Sequence, residues 1–422
     1  MIGLGAAAAA HAQYEPPPGY YDAATGTGSL LRNQLQSIMS TGHIQRSYGD
    51  FRYAAAIIDR DPNNASRILL VYNRASVPSA WNCSGGCVWN REHVWPQSRQ
   101  PGSASNSTKG NLGDPHALRP ANEAINNQRG NLPFGLPGST GSYRTIGSYW
   151  FPGDDDKGDV ARALFYSATR YQGSLSLVNG IPGSNQMGDL NALLRHHHAD
   201  PPDEFERRRN HAIYSSSLNP SYYTNNRNAY IDHPEFAWSA LGPGANDSTL
   251  YVGATAPGDG ASALTVNLGP VITGAGSVPA QTVTLNKIGT DPTYYSVTAS
   301  AGASSDLNGR YNAFDIDGQT RALQIGWSGA TTPAGAYSGL VTIDNLDVSS
   351  GGSGQGSADG DDFITVALDV QAHAEASFDG QLDQDVLTID LDVAPATGGV
   401  VAVDFEIHNL EDVQGLTAGL DI

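Results

Sequence analysis

The chain has 422 residues, of which 39% are hydrophobic and 15% charged, and a formal net charge of −19. That length exceeds one ordinary core and predicts roughly two to four domains. The charge is unevenly placed: residues 1–240 hold 20 Lys+Arg against 19 Asp+Glu, whereas residues 241–422 hold 3 against 23. The acidity belongs to the C-terminal half, argues against nucleic-acid binding there, and leaves the N-terminal half open to an anionic substrate.

Met1 to Gln13 reads MIGLGAAAAAHAQ, an Ala-rich apolar run ending in Ala10-His11-Ala12. It fits a signal peptide over residues 1–12, lacking the usual basic start, and predicts a secreted or periplasmic protein. No stretch approaches the ~20 apolar residues of a membrane span. Residues 13–28 contain three prolines and read as an extended lead-in. Leu30, Leu31, Leu35 and Ile38 recur at helical spacing up to Thr41-Gly42, and Ile68–Tyr72 is a short run of strand formers. Cys83 and Cys87 are the two cysteines of the chain; in an exported protein they read as a disulfide that stiffens a small loop. Two thiols without a nearby His pair make a poor zinc site.

Pro120 to Gly130 predicts a helix, with Pro120 in its first turn and Gly130 just past its end. Ala121, Ala124 and Ile125 would face the core, with Asn122, Asn126 and Arg129 as a polar stripe beside them. Val160–Tyr171 predicts an amphipathic helix with residues 160, 163, 164 and 168 on its apolar face, and residues 185–213 a mostly polar helical region. The mixed α+β unit ends near Trp238. Beyond residue 241 helical periodicity gives way to period-two runs, among them 264–268, 364–370 and 387–393. These predict antiparallel sheets packed as sandwiches over 241–370, then a short β module over 371–422. Residues 351–360 read as a flexible insert, and Asp359, Asp361 and Asp362 as a solvated acidic loop able to hold Ca²⁺.

The residues that carry chemistry lie at Trp89–Ser98, WNREHVWPQS, and Asp114–Asn131, DPHALRPANEAINNQRGN. An imidazole at His93 can take a proton from water, while a carboxylate at Glu92 and an amide oxygen can hold a hard cation. That set suits hydrolysis of a phosphodiester with one divalent ion. Both segments, with Asp61-Pro62-Asn63, Glu206–Asn210, Asn226-Arg227-Asn228 and Ile231–Glu235, resemble the endonuclease I family from about Tyr20 to Trp238. The family comprises bacterial secreted or periplasmic nucleases of the His-Me finger (ββα-metal) class. The expected fold is therefore multidomain, an α+β His-Me finger nuclease domain over 13–240 followed by an all-β, Ig-like sandwich region.

The resemblance implies His93 as general base and Glu92 as metal ligand. It implies Asn126 as the second metal ligand, with Asn127 as the alternative one step round the helix. It also implies a carbonyl near Leu112 that orients the imidazole, and an Arg at the phosphate for which Arg99, Arg119 and Arg129 are candidates. The expected cofactor is Mg²⁺, with Mn²⁺ or Ca²⁺ as alternatives. The expected substrate is DNA, with RNA as a second, cut with little sequence preference to 5′-phosphate products. A monomer is the expected state, and the C-terminal modules are candidates for attachment to a surface or another protein. Two departures stand out: Ser215–Thr224 is inserted relative to the family, and Ala229 replaces a usual Pro. Rival readings are an adhesion protein with a degenerate nuclease domain, and a zinc hydrolase built on His196-His197-His198. The last run reads better as surface polars, because three successive residues of a helix cannot face one ion.

Overall fold

The computed structural model describes residues 14–83, 86–136, 138–242, 248–254, 261–289, 293–314, 320–346, 360–390, 402–410 and 417. The expected signal peptide, Asp359, most of the 351–360 insert and residues 391–393 lie outside them.

The N-terminal unit opens with α1 (Gly28–Ser40), which buries Leu31, Leu35 and Met39 at successive turns while Leu30 stays exposed. Next come α2 (Phe51–Ile58), β1 (Arg60–Asp61), β2 (Asn64–Leu69) and β3 (Ser76–Pro78), the three strands forming one small sheet. Strand β4 (Asn90–His93) pairs antiparallel with β5 (Leu118–Ala121), and α3 (Glu123–Arg129) follows at once. Short pairs β6 (Arg144–Ile146) with β7 (Tyr149–Phe151), and β8 (Ser176–Leu177) with β9 (Gln186–Met187), flank α4 (Lys157–Arg170). Helices α5 (Leu190–Ala199), α6 (Glu204–Tyr214), α7 (Ala229–Asp232) and α8 (Phe236–Leu241) complete the unit.

Pro120 differs from its sequence reading. It lies in β5, paired with Arg91, and its carbonyl accepts from the Val71 N–H at 2.9 Å. All four β5 residues are buried, so the strand gains two paired neighbours that a helical turn would forfeit. The helix starts instead at Glu123, capped by Asn122, whose side chain accepts from the N–H groups of Ala124 and Ile125. Helix α4 forms where expected and buries Val160, Ala163, Leu164 and Ala168, but every residue from Lys157 to Thr169 is buried, so its polar side is enclosed as well. The polar region 185–213 divides into α5 and α6, broken where two prolines follow Asp200.

The β4–β5 pair lies between two apolar clusters. Trp89 and Leu118 belong to one; Val94, Trp95, Ala121 and Ile125 belong to the other. Trp89 and Trp95 are fully buried, and large aromatics of this kind fix a short strand pair that could not hold itself in water.

The C-terminal unit is a two-sheet sandwich. Its strands are β10 (Thr249–Val252), β11 (Ala263–Ile272), β12 (Gln281–Ile288), β13 (Thr293–Ser300), β14 (Ala303–Ser305), β15 (Gly309–Phe314), β16 (Thr320–Trp327), β17 (Gly335–Asn345) and β18 (Asp362–Gln371). One sheet runs β10-β12-β16-β14 and the other β11-β18-β17-β13-β15, around one shared core. The expected pairing was antiparallel throughout; β11 and β18 instead run parallel. Beyond the sandwich, the described residues hold only a two-residue pair, β19 (Ala376–Ser377) with β20 (His408–Asn409), and a bridge between Ala372 and Thr417. The described part of the 387–393 run forms no strand, and Leu387 and Ile389 are exposed; period two without a partner ladder leaves backbone groups to water.

Tyr294 of β13 joins the two units. Its hydroxyl donates to the His197 carbonyl at 2.8 Å, and its ring packs 4.6 Å from that of His198.

Candidate active site

Residues two apart on a strand share a face, so Asn90 and Glu92 lie on one side of β4. Helix α3 covers that side, and the Asn126 amide donates to Asn90 Oδ1 at 2.8 Å. One turn later, Arg129 Nη1 lies 3.0 Å from Glu92 Oε1. The same helix thus fixes both oxygen-bearing residues. Tyr72 donates its hydroxyl to Glu92 Oε1 at 2.6 Å, so both partners grip one carboxylate oxygen. Glu92 Oε2 and Asn126 Oδ1 have no hydrogen-bond partner among the described residues. Burial pushes the Glu92 carboxyl up, against the pull of Arg129 and Tyr72.

His93 is 6% exposed. Its Nε2 lies 2.9 Å from the Leu112 carbonyl. A carbonyl accepts only, so Nε2 carries the proton and Nδ1 is left as the basic nitrogen. The Tyr48 ring stacks on the imidazole at 4.8 Å and 22°. Burial holds His93 down to about 4, with Leu112 opposing and Arg91 and Arg129 adding to the effect, so the ring is neutral near pH 7.

These donors suit a hard divalent cation. One carboxylate oxygen and one amide oxygen are Mg²⁺ or Ca²⁺ ligands, and Mg²⁺ keeps several of its waters. Among the described residues no group of three or more His, Cys, Asp or Glu could hold a metal. His196, His197 and His198 are buried and not surface polars. His196 Nε2 meets the Gly135 carbonyl at 3.2 Å and His197 Nε2 the Pro234 carbonyl at 2.9 Å, so they face apart.

The Endonuclease I family profile matches residues 27–235. An extracellular ribonuclease of Bacillus subtilis (strain 168) is 39% identical over 252 residues, covering 56% of this chain and 82% of that protein. An extracellular ribonuclease of Bacillus amyloliquefaciens is 40% identical over 240 residues, covering 52% and 76%. This chain belongs to the endonuclease I family. It is a nuclease. Among solved structures, the E. coli chaperone DraB aligns at 12% identity and a TM-score of 0.20, over 29% of this chain and 55% of that one, which carries no argument.

Within this endonuclease I member the three arginine candidates separate. Arg129 is fully buried and donates to the carbonyls of His93 at 3.1 Å and Val94 at 2.7 Å besides pairing with Glu92, so it holds the site from behind. Arg119 is also buried, 3.4 Å from Asp159 and 3.7 Å from Asp59, on the core side. Neither is placed to meet a phosphate. Arg99 is half-buried and donates to the carbonyls of Asn131 and Pro182, both at 2.9 Å. Asn127 is exposed, about 100° round the helix from Asn126. Asn122 is a cap and no part of a ligand stripe.

Two departures from the family pattern are accommodated locally. Ala229 opens α7 under the Asn228 cap, at a position where Ala serves as well as Pro. Ser215–Thr224 leaves the end of α6 and returns, the Thr224 N–H donating to the Ile213 carbonyl at 2.7 Å. Tyr72, Tyr48 and Asn90 escaped the sequence reading. Tyr72 lies beyond β2 in a left-handed conformation (φ 76°), its N–H held by Asp156 at 2.7 Å, a geometry no local pattern announces. Asn90 did carry a signal, standing two residues before Glu92 on the same strand face. Asp361 and Asp362 flank a strand start, and Asp362 is buried, accepting from the Ser262 N–H at 2.9 Å.

Proposed function

We propose that the chain is a secreted, divalent-metal-dependent endonuclease of the His-Me finger class that hydrolyses both RNA and DNA with little sequence preference. The observation that carries the reading is the shared face of β4 and α3. There Glu92 and Asn126 present free oxygens, and the next residue of the strand is a neutral His93 whose tautomer Leu112 sets. His93 Nδ1 takes a proton from water as that water attacks phosphorus in line. The P–O3′ bond breaks, and the leaving oxygen takes a proton from solvent. A divalent ion held by Glu92 and Asn126 would neutralise charge on the phosphate and the departing oxygen. Tyr72 and Arg129 orient Glu92 and favour its charged form against the push of burial. Arg99, the candidate with exposed surface, is the arginine we assign to the phosphate.

Water, and not a 2′-hydroxyl, is the nucleophile, so the chemistry accepts either sugar. The relatives named extracellular ribonucleases support RNA as a substrate and support export. No helix among the described residues is long and apolar enough to cross a membrane. The test compares wild type and His93→Ala on plasmid DNA and a defined RNA, with Mg²⁺, Mn²⁺ or EDTA. Wild type should leave 5′-phosphate ends on both, and His93→Ala should be slower by roughly 10²–10⁴-fold. Activity in EDTA, or 2′,3′-cyclic phosphate ends on the RNA, would overturn the proposal.

A further inference from the structure

Tyr48 is stacked on both sides. One face meets His93, and the Arg91 guanidinium lies 3.5 Å from the centre of its ring. Arg52 is close enough that its charge, after burial, helps to lower the pKa of Arg91. The Arg52 guanidinium in turn lies 5.4 Å from the centre of the Tyr53 ring, which is 54% exposed and stacks with Tyr222 at 6.1 Å and 20°. Beside them Arg46 donates to the Tyr223 carbonyl at 2.8 Å and covers that residue's ring at 5.4 Å. Tyr222 and Tyr223 come from the inserted segment Ser215–Thr224, so the insertion extends a face that begins at the catalytic base.

Three arginines on this face, Arg46, Arg52 and Arg91, have no carboxylate partner among the described residues. Asp50, the nearby acid, is held by the Ser47 N–H at 2.8 Å. Like charges gathered without counter-ions await an anion. Alternating arginine with the exposed Tyr53 and the half-buried Tyr222 and Tyr223 adds a second requirement, flat π-systems spaced along the anion. A duplex hides its base faces; a single strand offers both.

We propose that the Arg52–Tyr53–Tyr222–Arg46 face binds a single-stranded nucleic acid, stacking its bases while the arginines track its phosphates, and feeds the strand to His93. The proposal deepens the nuclease reading and rests on it. Tyr53 projects from α2 with most of its ring in solvent, so its replacement leaves the core intact.

The experiment measures fluorescence anisotropy in the slow-cleaving His93→Ala protein in EDTA, with a labelled 12-nucleotide oligo(dT) and a labelled 12-base-pair duplex at fixed salt. Adding Tyr53→Ala should weaken oligo(dT) binding about tenfold, as loss of one stacked base implies. Tyr53→Phe should restore it, duplex binding should change less than about twofold, and Ile288→Ser on the remote sandwich should change neither. Oligo(dT) affinity unmoved by Tyr53→Ala, or an equal loss on the duplex, overturns the proposal. Failure of wild type to cut any nucleic acid would instead sink the nuclease reading, leaving the binding result to be read by itself.

Discussion

Tyr72 and Arg129 converge on one oxygen of Glu92 and leave the other free, so the carboxylate is aimed by residues that touch no substrate. Tyr72→Phe removes one grip while keeping the ring. It should raise the Mg²⁺ concentration for half-maximal activity by roughly 10- to 100-fold with little change in unfolding midpoint. Arg129→Ala strands a buried carboxylate and two carbonyls. It should cost about 3–5 kcal/mol in urea unfolding, whereas Arg99→Ala should cost under about 1. Glu92 and His93 stood out in an aromatic stretch, but their expected roles came from the ordered motifs that resemble the endonuclease I family. Helical spacing put Arg129 on a polar stripe with Asn122 and Asn126; the fold buries Arg129 alone of the three, behind Glu92.

At the scale of elements, a strand, a strand and a helix bring Asn126 to Glu92. Helix α3 has only seven residues, too short to persist without its cap and its packing. Asn122→Ala removes the cap and should cost about 1 kcal/mol, read from the unfolding midpoint. The same change should loosen Asn126 and raise the Mg²⁺ requirement. Sequence pattern placed the helix but started it too early, because Pro120 favours a first turn and nothing local announced that Leu118–Ala121 would pair with β4 and meet Val71. Helix α4 shows the same limit. Its apolar positions predicted one buried face; the burial of Asp159 and Arg162 rests on their own i,i+3 pairing at 3.2 Å and on the tie of Arg162 to Glu206 of α6, a contact made across the fold.

Across the whole molecule, burial keeps histidines neutral. His116 and His196 are held at about 4 and His198 at about 3, each chiefly by desolvation. Above the unfolded value of about 6.5 these groups are neutral in both states and contribute no pH dependence. As pH falls from there toward about 4 the unfolded chain takes up protons that the native fold refuses, so stability is lost across that window. Buried carboxylates pull the other way; Glu206 is pushed up to about 8 by burial. A paired comparison isolates one histidine. His116 faces Asp114, Arg209 and His43 and meets the Asn226 carbonyl at 3.3 Å. The stability advantage of wild type over His116→Gln should shrink between pH 7 and pH 4.5, by up to about 3 kcal/mol in urea unfolding. A constant gap would show that His116 titrates normally. The two-unit architecture was legible from the charge split and the change of period; the Tyr294 contact that joins the units was not, since it pairs residues nearly a hundred positions apart.

The parallel pairing of β11 with β18 has a consequence in time. Val266 sits in register with Val366, and Ala263 with Phe363, so one sheet of the sandwich cannot be completed until the chain has been made almost to Gln371. The nuclease unit closes earlier, when Asp232 accepts the Tyr21 hydroxyl at 2.7 Å. On a chain emerging from its N-terminus, the catalytic half therefore has its internal partners, all but the Tyr294 contact, while the acidic half is still waiting for its own. Distant pairings of this kind form slowly. In refolding from urea, nuclease activity should return before the fluorescence signal of Trp327 in β16, so the order of maturation follows the order of the chain.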